Sequence, residues 1–250
     1  MALEELYTYA ASKQEQCITN DTISDTLFKE YGVNRGLRDE NGKGVLTGLT
    51  RISEIVSFKE ENGKNVPCDG QLWYRGYNVK TLIEGIEPDQ FGFEKTAYLL
   101  LFGELPSKEE EREFARILGN CRTLPTNFTR DVIMKAPSKD IMNSMTRSIL
   151  TLASYDENTA VGTIDNCIRQ CIQLIAEFPM LAVSGYHANT HYENDSSMYI
   201  HRAVPTLSTA ENFLRMLRPD NKYTRLEAKV LDVALILHAE HGGGNNSTFT

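Results

Sequence analysis

The chain has 250 residues, 41% of them hydrophobic and 24% charged, and a formal net charge of -8. That length buries a full core as one large domain or two small ones. The acidic balance argues against a nucleic-acid or membrane-surface partner, since either needs a basic face.

From the N-terminus, Met1–Tyr7 starts acidic and has no apolar core of signal-peptide length. No apolar run reaches membrane-spanning length. Five cysteines, Cys17, Cys68, Cys121, Cys167 and Cys171, are odd in number and scattered, so neither a disulfide framework nor a metal knuckle is implied. Cys167 and Cys171 fall one helical turn apart and are expected to fill helix-packing space. A reducing cytoplasm is the economical location.

Asp21–Asp25 opens a first helix toward Tyr31, with a stop at Gly32. Two Asn-Gly signals, Asn41-Gly42 and Asn62-Gly63, lie near runs that tolerate strands, Val45–Ile52 and Gln71–Tyr77. A small β-hairpin or three-stranded patch is expected across residues 39–77. Trp73 and Tyr74 beside Arg75 are expected to pack between sheet and helices.

Helices follow. Phe93–Phe102 carries Ala97, Leu100 and Leu101 at helical spacing and ends at Gly103. Ser107-Lys108-Glu109-Glu110 is a capping box for a helix to about Gly119, whose Glu109, Glu110, Glu111 and Glu113 form a solvated start. Asn127–Lys135, Asp140–Ser154 and Thr159 to about Met180 give three more. Tyr186–Thr206, with His187, His191 and His201, has little periodicity and is expected to be a long connection. Ser208-Thr209-Ala210-Glu211 caps a helix through Leu217. The fold class is therefore mainly α, multi-helical, with one small sheet.

The last helix, Arg225–Leu237, is apolar densely enough to be buried on most of its circumference. It runs into His238, His241 and the glycines Gly242–Gly244. Glycines there cap the helix and leave peptide N–H groups open to close approach. His241 stands where the carbonyl end of the helix dipole favours imidazolium, which suits an anionic, carbonyl-bearing substrate. The same pattern also fits a satisfied core histidine before an ordinary glycine stop. His238 and His241 are three apart, one short of the zincin spacing, so no metal is expected.

Several stretches together resemble the citrate synthase family. Leu235-Ile236-Leu237-His238-Ala239-Glu240-His241 with Gly243-Gly244-Asn245 and Ser247 is similar to the family's first histidine motif. Gly44–Thr50 with Asp69–Tyr77 resembles its N-terminal β segment. Tyr98–Pro106 resembles a helix-stop element, and Leu207–Leu214 the helix before the histidine helix. The resemblance runs in order from about Gly44 to Thr250.

It implies the family's multi-helical large domain, incomplete, over residues 44–250, behind a helical extension at 1–43. It also implies condensation of acetyl-coenzyme A with oxaloacetate to citrate and coenzyme A, without a further cofactor. That chemistry needs a base for a reluctant methyl proton, a donor for the enolate and a polarised ketone. By motif position His241 corresponds to the oxaloacetate-binding histidine, Asn245 to a substrate-pocket asparagine, and Ser247 to the serine orienting a second histidine. The Gly-Gly-Ala-Asn and Gly-His-Arg contexts of the family's other histidines do not occur in these residues. The chain is thus expected to be the amino-terminal part of such an enzyme, inactive alone, with homodimerisation through its helices. A 2-methylcitrate synthase using propionyl-coenzyme A, and a non-catalytic helical interaction module, remain as alternatives.

Overall fold

The computed structural model describes residues 24–32, 51–61, 63–87 and 90–240. The chain divides into two compact units, residues 1–49 and 50–250. In the first, helix α1 (Asp25–Glu30) is capped by Ser24, whose hydroxyl accepts from Thr26 N–H, and ends at Tyr31 and a left-handed Gly32. The expected stop holds, and the start lies at Ser24.

The second unit opens with a three-stranded antiparallel meander: β1 (Ser53–Glu61), β2 (Lys64–Tyr74) and β3 (Tyr77–Asn78), in order β1-β2-β3. The expected patch is there, but its first strand is shifted. Arg51 and Ile52 lie ahead of β1, and Val45–Thr50 fall outside the described residues. Of the two Asn-Gly signals, Gly63 (φ 75°) stands in the β1–β2 turn beside the Glu61–Lys64 pair, while Asn62, Asn41 and Gly42 fall outside the described residues. The β2–β3 turn places Arg75 (φ 48°) and Gly76 (φ 85°) both in the left-handed region, as a two-residue hairpin with native twist requires.

Seven helices follow among the described residues: α2 (Val79–Glu84), α3 (Phe93–Phe102), α4 (Lys108–Cys121), α5 (Ile141–Leu152), α6 (Ile164–Asn194), α7 (Thr209–Leu217) and α8 (Arg225–Leu237). A π-helical turn at Thr129–Ile133 lies within the expected helix at 127–135. The capping boxes read at Ser107 and Ser208 both form. Helix α3 spans the expected residues and closes on left-handed Gly103.

Helix α6 is the central rod. Ala176 packs with Ala97, Phe114 and Leu118; Met180 and Val183 pack with Met216; Leu181 and Ala188 join Phe128, Ile133 and Leu152. Each fully buried aliphatic side chain here contributes about 2 kcal/mol. Residues 186–194, expected as loop, are helical instead. Pro179 removes only its own N–H from the ladder, and the buried stripe continues through Gly185, His187 and Ala188. A glycine and a histidine in apolar slots hid the period from the sequence. The actual connection is 195–208.

Two packing expectations are also corrected. Cys167 and Cys171 are exposed thiols, because α6 turns Asn166 inward, its amide donating to the Asn158 and Val161 carbonyls. Helix α8 buries one stripe, Ala228, Asp232 and Ile236, while Leu226 and Val230 are 74% and 63% exposed. Apolar density shows how greasy a helix is, not which face meets a partner. No helix of the described residues is long and apolar enough to cross a membrane.

Candidate active site

Helix α8 delivers the histidine segment, and three contacts fix it. Its start is closed by a Thr224/Glu227 capping box. Midway, the buried Asp232 carboxylate accepts the N–H groups of Gly92 and Phe93 at 2.8 and 3.0 Å, joining α8 to the start of α3. Near its end, fully buried Ile236 packs with Tyr74, Val79 and Leu99.

Past Leu237 the chain makes one more turn. His238 is the C-cap, its N–H donating to the Ala234 carbonyl at 3.1 Å. The same carbonyl lies 2.8 Å from His238 Nδ1. A carbonyl carries no proton, so Nδ1 is the donor, which leaves Nε2 unprotonated in the neutral ring. Ala239 N–H returns to the Ile236 carbonyl at 3.3 Å.

Tyr74, at the end of β2, meets this turn from beneath. Its hydroxyl donates to the Ile236 carbonyl at 2.8 Å, with the Glu240 carbonyl at 3.0 Å, and accepts the Glu240 N–H at 3.3 Å. Burial pushes its phenol pKa up, against the lowering pull of the Glu240 backbone. The next residue, Arg75, donates to the Leu100 carbonyl near the end of α3 from Nη2 at 2.7 Å and Nε at 3.2 Å. Adjacent side chains thereby serve the carbonyl ends of two helices, which α-helical bonding leaves open.

Beside this turn lies a cleft of about 710 Å³, walled by apolar groups including Leu101, Met145, Phe178 and Phe213 and lined also by His238 and Glu240. An apolar cleft of that volume with a few polar groups in its lining has the form of an organic-ligand site. His241, Asn245 and Ser247 lie outside the described residues, as do Gly242–Gly244.

The three histidines expected in a loop do not come together as ligands. His187, buried on α6, is 3.2 Å from the Met216 carbonyl, and His191, also on α6, is 2.7 Å from the Ser196 carbonyl. His201 Nε2 is buried without a partner. Among the described residues no group of three or more His, Cys, Asp or Glu could hold a metal ion. Trp73 and Tyr74 pack as expected in part: Tyr74 is core, and Trp73 donates to Gln71 Oε1 at 3.2 Å. Sequence reasoning missed the Tyr74 hydroxyl and Asp232. The one available signal was a carboxylate in the middle of an apolar helix.

A sequence model of one family, described as "Citrate synthase, C-terminal domain", matches residues 37–250. The chain belongs to the citrate synthase family. A citrate synthase of Corynebacterium glutamicum is 29% identical over 219 residues, covering 81% of this chain and 47% of that protein. A 2-methylcitrate synthase of Shewanella oneidensis is 31% identical over 186 residues, covering 72% and 44%. The chain thus spans about half the length of the citrate synthase relatives it matches.

Solved structures agree on this fold. Citrate synthase from Pyrobaculum aerophilum superposes with a TM-score of 0.65 at 25% identity, covering 83% of this chain and 50% of that one. Citrate synthase from Thermoplasma acidophilum, solved with carboxymethyl coenzyme A and oxaloacetate, gives 0.67 at 22% identity, covering 82% and 48%, a likeness of fold. The mainly α citrate-synthase architecture with its small sheet is that of the family.

Proposed function

We propose that these residues are part of a citrate synthase that condenses acetyl-coenzyme A with oxaloacetate, an acyl transfer that forms a carbon–carbon bond and uses no further cofactor. In this reading His241 binds and polarises the ketone of oxaloacetate, Asn245 contacts the substrate, and Ser247 orients a second histidine. Residues 44–250 would then be the large helical domain without the remaining catalytic segments, and 1–43 an extension. The observation that carries the reading is the cleft lined by His238, Ala239 and Glu240 past the end of α8, the three residues directly before His241 in the sequence.

A ketone flanked by carboxylates gains electrophilicity from a strong hydrogen-bond donor at its oxygen. In this reading the His241 imidazole, which follows the carbonyl end of α8 in sequence, is that donor. A homodimer is supported by the apolar side chains that α8 and α5 leave exposed, Leu226, Val230 and Leu237 on one and Met142 and Leu150 on the other. A cytoplasmic location suits the thiols of the four described cysteines.

A second reading, 2-methylcitrate synthase, has a specific ground in the Shewanella relative, described as that enzyme. Thiol release with oxaloacetate present, from acetyl- against propionyl-coenzyme A, tests both, using the product of the complete reading frame containing these residues. Acetyl preference is expected; propionyl preference selects the second reading, and no turnover of either overturns both. The 250-residue chain alone is expected to bind oxaloacetate weakly and to release no thiol.

A further inference from the structure

One side chain, the Tyr74 hydroxyl, braces the last turn of α8 from outside the helix. Of the carbonyls at that end, Ala234 serves His238 through both its N–H and Nδ1, while Ile236 and Glu240 lie at Tyr74 Oη. The hydroxyl also accepts the Glu240 N–H, so it bridges the two sides of the turn that carries His238. Its ring has no room to swing, being fully buried with Val79, Leu99 and Ile236. Phenylalanine would fill that space equally well. What the oxygen adds is the orientation of peptides 236–240. A second brace sits next to it, since Arg75 binds the Leu100 carbonyl where α3 reaches the same cleft.

We propose that Tyr74 is a positioning residue for the ligand-binding end of α8, its hydroxyl fixing the backbone around His238 and so setting the affinity of the cleft for a keto-dicarboxylate. Only the identity of the ligand rests on the function proposed above. Removing the hydroxyl takes its proton from the Ile236 carbonyl, which keeps the longer Ala239 N–H bond, and takes the Tyr74 acceptor from the Glu240 N–H, and a loosened turn spreads the imidazole over several orientations. A binding geometry held within a few tenths of an ångström is then lost without loss of the core.

The test compares the whole 250-residue chain with Tyr74→Phe and with Arg218→Gln, a control that also disturbs α8 but at its far end, where Arg218 pairs with Glu227. Oxaloacetate is titrated by chemical-shift perturbation, which reads millimolar binding, and the His238 imidazole is titrated by nitrogen NMR, both where all three proteins are folded. Tyr74→Phe is expected to weaken oxaloacetate about tenfold and to move the His238 titration midpoint, with Arg218→Gln leaving both within about twofold. Equal effects of the two variants on affinity overturn the proposal.

If the unsubstituted chain shows no response to oxaloacetate, the ligand reading fails and the imidazole midpoint alone decides. A shift confined to Tyr74→Phe then supports positioning, and its absence overturns it. Should phenylalanine unfold the chain, 3-fluorotyrosine at position 74 keeps the ring and hydroxyl, changes the hydroxyl's donor strength with one small fluorine added, and is read by the same criteria.

Discussion

The Asp232 carboxylate reaches from the middle of α8 to the Gly92 N–H at 2.8 Å, so that one helix caps the start of another 140 residues away in sequence. Helix α3 has no side-chain cap of its own. Gly92 is required there for room: a Cβ would stand 2.3 Å from Ile86 Cδ1 and 3.1 Å from Ile236 Cδ1.

Asp232→Ala is accordingly expected to destabilise the chain by about 3 kcal/mol, because it leaves two buried amides without an acceptor. Asp232→Asn keeps one acceptor and should lose about half of that. Burial raises the Asp232 pKa above 3.8, outweighing the lowering by its two amides. For a carboxyl raised in the folded state the stabilising contribution is complete below the unfolded value and is lost as pH rises through the folded one. The unsubstituted chain should therefore gain on Asp232→Asn as pH falls toward 4, measured by urea midpoints. A constant difference between the two proteins would contradict this.

Contacts of this kind decide what was legible in the sequence. Ser107, Ser208 and Gly103 act on their own neighbours through capping boxes and a left-handed stop, so local rules found them. Asp232 and Tyr74 act on residues 140 and 162 positions away, and no local pattern encodes such a partner. His187 defeated the periodicity because a long-range bond to Met216 lets a polar ring occupy a core slot. The cleft is legible only to the extent that the histidine motif announced it. Its apolar walls come from five helices that the sequence cannot bring together.

Gly119→Ala should destabilise the chain although alanine is the better helix former. The gain in helix propensity is about 1 kcal/mol. Against it, a Cβ at 119 would stand 2.2 Å from the Pro205 carbonyl oxygen and 3.0 Å from its carbon. Those are backbone atoms, and relieving the overlap costs about 2 to 3 kcal/mol. Gly70→Ala, with nothing within 4 Å, is the control and should be near neutral. Thermal melts showing Gly119→Ala at or above the unsubstituted midpoint would refute the close approach.

The pair Glu94–Arg122 is buried, at 3.2 Å, and it does more than neutralise charge. Glu94 Oε1 accepts both the N–H and hydroxyl of Thr209 at the start of α7, at 2.6 and 2.8 Å, while Arg122 donates to the Leu207 carbonyl. Three helices meet there. Arg122→Met leaves a buried carboxylate without its cation and should lose about 3 to 5 kcal/mol. Glu94→Gln with Arg122→Met removes both charges and should recover part of that loss. A double-mutant cycle with no coupling would show that the charges are not what holds the junction.

Acid should weaken the anchor at the start of α8. Glu227 accepts Thr224 N–H at 2.7 Å and Arg218 Nη2 at 2.6 Å. The Thr224 backbone bond, then Arg218, hold its carboxyl down to about 2 from an ordinary 4.5. Asp156, gripped by Arg169 and Gln170, is likewise lowered to about 2. For a depressed carboxyl the contribution is complete above the unfolded value and disappears as pH falls through the folded one. Stability from Glu227 should thus be intact at pH 6 and drain away between about 4.5 and 2. Glu227→Gln keeps an acceptor for the cap but has nothing to protonate. Its advantage is a flatter profile, so the gap between it and the unsubstituted chain should be widest near neutrality and vanish near pH 2. Asp156 contributes equally to both proteins and leaves the difference untouched. Urea midpoints measured across pH 2 to 7 check this, and parallel curves for the two proteins would show that the Thr224–Glu227–Arg218 cluster does not anchor the start of the helix.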